Sequence, residues 1–202
     1  AAQTFVGDVT IDGDLDFTGA QEISTSAGDL TLSPFTGVVK ISANADEGSV
    51  VSMLNTNTGT QDTDANTTET NLYTYTLPAA TFVTTGDSVC FHAAGAFGGT
   101  TNTKTLRAYV GGTGGTKIGE HAGAHNGTHW EVTARTYRAA EDVQRSFCQI
   151  TIDGVVVDNQ YQSSSIDESA TIELLITGLN GTASNNDIVK RIGSTIFYPA
   201  HS

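Results

Sequence analysis

The chain has 202 residues, enough for one β-sandwich of ordinary size plus a smaller extra segment. Charged residues make up 15% of it, below the roughly 25% usual in soluble domains, and Thr, Ser, Asn and Gly fill the gap. A net charge of −13 repels phosphate backbones and anionic headgroups, which argues against nucleic acid as a partner. No apolar run approaches the roughly 20 residues of a membrane-inserted helix. The first residues, Ala1-Ala2-Gln3-Thr4-Phe5, carry neither the basic flank nor the apolar stretch of a secretory leader, and there is no initiator Met. The numbering is therefore read as starting at a processed terminus or inside a longer chain.

Residues 1–45 hold very short strand-like runs punctuated by Gly-Asp. Gly7-Asp8-Val9-Thr10-Ile11 recurs as Gly28-Asp29-Leu30-Thr31-Leu32, with Gly13-Asp14-Leu15-Asp16-Phe17 as a partial third copy. One such unit has too little apolar surface to bury itself and leaves its edges unpaired. Stacked neighbours would supply the missing burial, and three identical chains around one axis would provide them. Residues 46–69 read as a transition, with a candidate strand at Ser49-Val50-Val51-Ser52-Met53-Leu54 and then an Asn-, Thr- and Asp-rich loop.

From residue 70 onward the strands lengthen. Alternation predicts strands near 71–76, 87–97, 104–110, 129–138, 146–152, 170–177 and 187–198. Asp153-Gly154 and Asn180-Gly181 are predicted hairpin turns. Helical periodicity is nearly absent; its best candidate, Ala139-Ala140-Glu141-Asp142-Val143-Gln144-Arg145, is short and has no apolar stripe. Trp130, Val132, Val89, Phe91, Leu106, Ile150 and Ile152 alternate with polar neighbours and are the predicted core. Cys90 and Cys148 are too few for a disulfide framework and read as two partly buried thiols, with one bridge between strands as the alternative. The pattern is that of an antiparallel two-sheet sandwich.

Residues 70–202 resemble the jelly-roll head domains of phage tail-fibre and related virion fibre proteins. The resemblance is carried by Leu77-Pro78-Ala79, Thr85-Gly86-Asp87-Ser88-Val89, Ala94-Gly95-Ala96-Phe97 and Asn102-Thr103-Lys104-Thr105-Leu106-Arg107-Ala108-Tyr109-Val110-Gly111-Gly112-Thr113. Trp130, Gln149-Ile150-Thr151-Ile152-Asp153-Gly154 and Asn185-Asn186-Asp187-Ile188 continue it. The Gly-Asp units of residues 1–45 resemble the repeats of trimeric fibre shafts. The resemblance implies an all-β chain: a short intertwined trimeric β shaft (1–45), a transition (46–69) and a jelly-roll head (70–202). It also implies a homotrimer on the surface of a virion, in contact with other virion proteins and with a host-surface glycan. The role implied is attachment, as a tail fibre, a head fibre or a decoration protein. A monomeric carbohydrate-binding module of a secreted protein is the alternative from another class, and a glycan-degrading enzyme is a third.

Chemistry-bearing clusters are few. His121, His125 and His129 recur every four residues, the first two in a Gly-rich stretch, 111–128, read as a long loop, and the third just beyond it. Neutral imidazole is a common metal ligand, so this loop is the candidate ligand, metal or trimer-contact site. Asp12, Asp14 and Asp16 alternate along a strand and form a second candidate ion site, although the Gly that an EF-hand loop needs at its sixth position is Phe17 here. There is no Gly-x-Ser-x-Gly, His-Glu-x-x-His or phosphate loop. The acids stand beside Gly, Asn, Ser or Thr rather than in a pocket-forming pattern. No catalytic residue and no cofactor is expected.

Overall fold

A computed structural model describes residues 52–200. The segment 1–45, with Asp12, Asp14 and Asp16, lies outside the described residues. Eleven strands and no helix make up what is described. They are β1 (Ser52–Asn57), β2 (Gln61–Asp62), β3 (Thr70–Leu77), β4 (Ser88–Phe97), β5 (Thr103–Val110) and β6 (Thr116–Ala124). β7 (His129–Ala140), β8 (Val143–Ile152), β9 (Val155–Ser164), β10 (Ile172–Asn180) and β11 (Ile188–Tyr198) complete the series. All pairings are antiparallel.

Two sheets form, one of order β1-β11-β4-β7-β8-β9 with β2 also on β11, the other of order β3-β10-β5-β6. Setting aside β2, β8 and β9, the sheets pair the first strand with the last, β1 with β11. Inward from there, β3 pairs with β10, β4 with β7 and β5 with β6. That nesting is one long hairpin wrapped into two sheets, the topology of a jelly roll. The β8–β9 hairpin is an addition that widens one sheet.

Alternation explains the core. On β8, Gln144, Ser146, Cys148, Ile150 and Ile152 face inward, and on β7 Trp130, Val132, Ala134 and Thr136 do so. The predicted core residues Trp130, Val132, Val89, Phe91, Leu106, Ile150 and Ile152 are all buried. Both cysteines are free, with Cys148 in the core and its thiol pushed up to about 12 by burial.

Several expectations need correction. β1 and β2 both pair with β11, so part of the expected transition belongs to the sandwich. Half of the expected loop 111–128 is strand β6, joined to β5 by a tight turn in which Gly111 and Gly112 take positive φ. The glycine at 119, which reads as a loop residue, is a packing requirement: a Cβ there would fall 2.3 Å from Cys148 Sγ. Asp153-Gly154 makes the expected two-residue hairpin, both residues at positive φ, and opens β9, which had not been expected. Asn180-Gly181 is not a hairpin, because β10 and β11 lie in different sheets. Instead the Asn180 amide donates to Asp64 O and Ser184 O, fixing a crossover. The weak helical candidate is the β7–β8 turn, with Asp142 at φ 52°.

Candidate functional site

The outward face of the larger sheet carries an apolar row. In register, Met53, Ile196, Cys90, Arg135, Phe147 and Tyr161 stand side by side across six strands. Phe147 occupies the polar phase of β8 and is 39% exposed, and its neighbour Tyr161 on β9 is 59% exposed. Val155, Val156 and Val157 at the start of β9 are exposed too. β9 is the edge strand, so this apolar surface ends in unpaired backbone groups.

Arg135 organises the middle of the row. Its guanidinium lies 4.7 Å from the Tyr137 ring centroid and 4.3 Å from that of Tyr198, and it donates to Ser88 Oγ at 3.0 Å. The cation holds both rings by their faces. Exposed aromatics fixed on strands form a preorganised contact surface, which costs little side-chain entropy on binding. Sequence reasoning missed this site. The available signal was Phe147, an aromatic at a position where alternation calls for a polar residue.

The structure brings two of the three candidate histidines together. His121 on β6 and His125 just beyond it approach with Nε2 to Nε2 at 2.9 Å, and the His125 ring stacks on Phe97 at 4.9 Å. One imidazole must donate and the other accept, so the contact is lost once both rings are protonated. His129 is apart, 81% exposed at the start of β7, with its backbone N–H donating to Asp153 Oδ1. Among the described residues no group of three or more His, Cys, Asp or Glu side chains is placed to hold a metal. The three-histidine site is therefore not assembled, because His121 and His125 meet at the end of β6 while His129 stands apart at the start of β7.

Burial holds both imidazoles below their ordinary range. Asp158 opposes this at His121; at His125, His121 and Lys104 add to it and Asp153 opposes it. The linkage has a definite sign. Below a pH of about 6.5 the unfolded chain takes up protons that the folded pair resists, so this contribution to stability is present at neutral pH and lost on acidification. The fall in melting temperature from pH 7.5 to 5.5 is expected to shrink in His125→Gln. An unchanged or larger fall in that variant would count against the pair.

Three of the partly or fully buried acids are held by several donors each. Glu69 accepts from Arg107, Tyr109 and Thr177. Glu168 accepts from Arg138 at 2.6 Å and Gln144 at 2.7 Å. Asp87 accepts from the Val83, Thr84 and Ala200 amides.

The described residues thus form a jelly-roll sandwich with an aromatic outer face. No family model matches the chain, and no curated protein matches it. Among solved structures it is similar to the CBM2 module of the evolved Dit of Lactobacillus casei BL23 phage J-1. The identity is 7%, over 64% of this chain and 70% of that one, with a TM-score of 0.34.

Proposed function

We propose that the chain is a structural protein of a virion surface, assembled as a homotrimer, that serves attachment to a host glycan by binding rather than by catalysis. The observation that carries this reading is the β8–β9 hairpin. It is an addition to the eight-strand jelly roll, and it exposes Phe147, Tyr161 and three consecutive valines on a chain that is otherwise polar and acidic. Apolar surface of this kind, ending in an open strand edge, marks a protein contact. Three copies set around one axis bury such a face together, and the short Gly-Asp units of residues 1–45 need neighbouring chains for the same physical reason.

The acids support binding over catalysis. Glu69, Glu168 and Asp87 are each committed to fixed donors in the fold. A glycan-cleaving pair would need one carboxyl free to exchange a proton at the bond being broken.

One observation favours the monomeric carbohydrate-binding module as a second reading: the described sandwich closes its core within a single chain. Mass in solution separates the two. Light scattering is expected to give three times the 21.0 kDa of one chain, and a monomer for Tyr161→Glu combined with Val156→Glu. A parent chain that stays monomeric at micromolar concentration would overturn the trimer, and a glycan array without a single bound sugar would overturn attachment.

A further inference from the structure

The described body contains two fully buried lysines, and the fold treats them differently. Lys104 is saturated: its three ammonium N–H groups are shared among four acceptors, Thr100 O at 2.7 Å, Thr100 Oγ1 at 3.0 Å, Asn102 O at 3.2 Å and His125 O at 2.7 Å. Asp187 adds a nearby negative charge. Lys190, on β11, is 1% exposed and has a single partner among the described residues, Asn57 Oδ1 at 2.9 Å. That oxygen is already shared with the Gly59 amide. Burial holds the Lys190 ammonium below its ordinary range, with no carboxylate among the described residues set against it.

A buried ammonium with most of its donors idle costs stability, and a fold tolerates it where something outside the chain completes the site. Lys190 lines a pocket of about 390 Å³ between β11, the β1–β2 link and β3. That volume lies in the range of small-molecule sites. The rest of the lining is mostly polar, with Asn57, Gln61, Asn71, Thr60 and Thr74 beside Leu72 and the Tyr73 ring. The Tyr73 hydroxyl is itself fixed by Thr195 Oγ1 at 2.6 Å. One cation among neutral amides and hydroxyls matches a ligand with one negative group and several hydroxyls.

We propose that this pocket binds a carboxylated sugar, with the carboxylate on the Lys190 ammonium and the ring hydroxyls on the amide and hydroxyl lining. The carboxylate supplies the missing charge through a charge-assisted hydrogen bond, stronger than a neutral one. On a chain of net charge −13 the protein's overall field opposes an anion, so selection of this ligand has to come from the local site. The ligand class rests on the attachment reading; the pocket and its unpaired cation do not.

Calorimetry with glucuronate, N-acetylneuraminate, glucose and sodium sulfate tests this on the full chain and on Lys190→Met. One acidic sugar is expected to bind at least about tenfold more tightly than glucose and than sulfate, and Lys190→Met should lose at least about tenfold of that affinity without melting lower than the parent. Nuclear magnetic resonance of the lysine side chains gives a readout free of any variant: the Lys190 ammonium pKa should rise when the acidic sugar is added. Equal binding of glucose, equal binding of sulfate, an unchanged Lys190 titration at saturation, or full affinity in Lys190→Met would each overturn the site. The two readings fail separately. Array binding to neutral glycans that Lys190→Met leaves intact sinks the pocket and spares attachment. Acidic-sugar binding in the calorimeter with no adhesion to any glycan surface does the reverse.

Discussion

Trp130→Ala is expected to destabilise the fold by about 3–5 kcal/mol, in the lower half of that range. Trp130 is 2% exposed at the start of β7, where it stands between Gly95 of β4 and Ile152 of β8. Truncation removes the largest side chain of the core cluster and leaves a cavity that two hydrogen-bonded sheets cannot close by collapse. The lower half is expected because the indole N–H has no acceptor among the described residues, so part of the gain from burying the ring is already offset. Trp130→Phe removes that idle donor along with one ring, and it should cost less than half as much. Urea unfolding measures both. Native indole emission at the solvent-exposed wavelength, or an alanine variant within about 1 kcal/mol of the parent, would contradict the burial.

Particular residues show why some of this was legible in the sequence and some was not. Trp130, Val132 and Ala134 alternate cleanly with Glu131, Thr133 and Arg135, so strand, face and core could be read together. Asp153-Gly154 announced its hairpin because both positions need a positive φ that few residue pairs tolerate. β6 was hidden because its glycines serve packing: Gly119 makes room for Cys148, and local composition cannot tell this from a loop. β9 was hidden because its valines break alternation at a register shift between Val156 and Asp158 and are exposed rather than buried. The aromatic face and the Lys190 pocket depend on pairing between residues far apart in the chain, as Met53 with Ile196 shows at a separation of 143 positions, and no local pattern carries that information. The histidine spacing was visible, yet spacing alone could not say that two rings would meet and the third would not.

Lys104→Met is expected to cost about 2–4 kcal/mol, whereas the same substitution at Lys190 should cost nothing. Both side chains are fully buried lysines of the same length, so loss of the methylene stem is not the difference. At Lys104 the ammonium ties together the β4–β5 link through Thr100 and Asn102 and the end of β6 through the His125 carbonyl. Methionine would leave those carbonyls turned inward without a donor, each costing about 1–3 kcal/mol when enclosed and less where water reaches them. The loss should spread to the histidine pair, because Lys104 is one of the charges that disfavour protonation of His125. Removing it should raise the His125 pKa and weaken the acid sensitivity that the pair confers. Unfolding midpoints of the two lysine variants at pH 7.5 and 5.5 test both parts. A Lys104→Met protein within about 0.5 kcal/mol of the parent would show that the bonds donated to those acceptors are replaced by solvent, and would remove the contrast that marks Lys190 as a site awaiting a ligand.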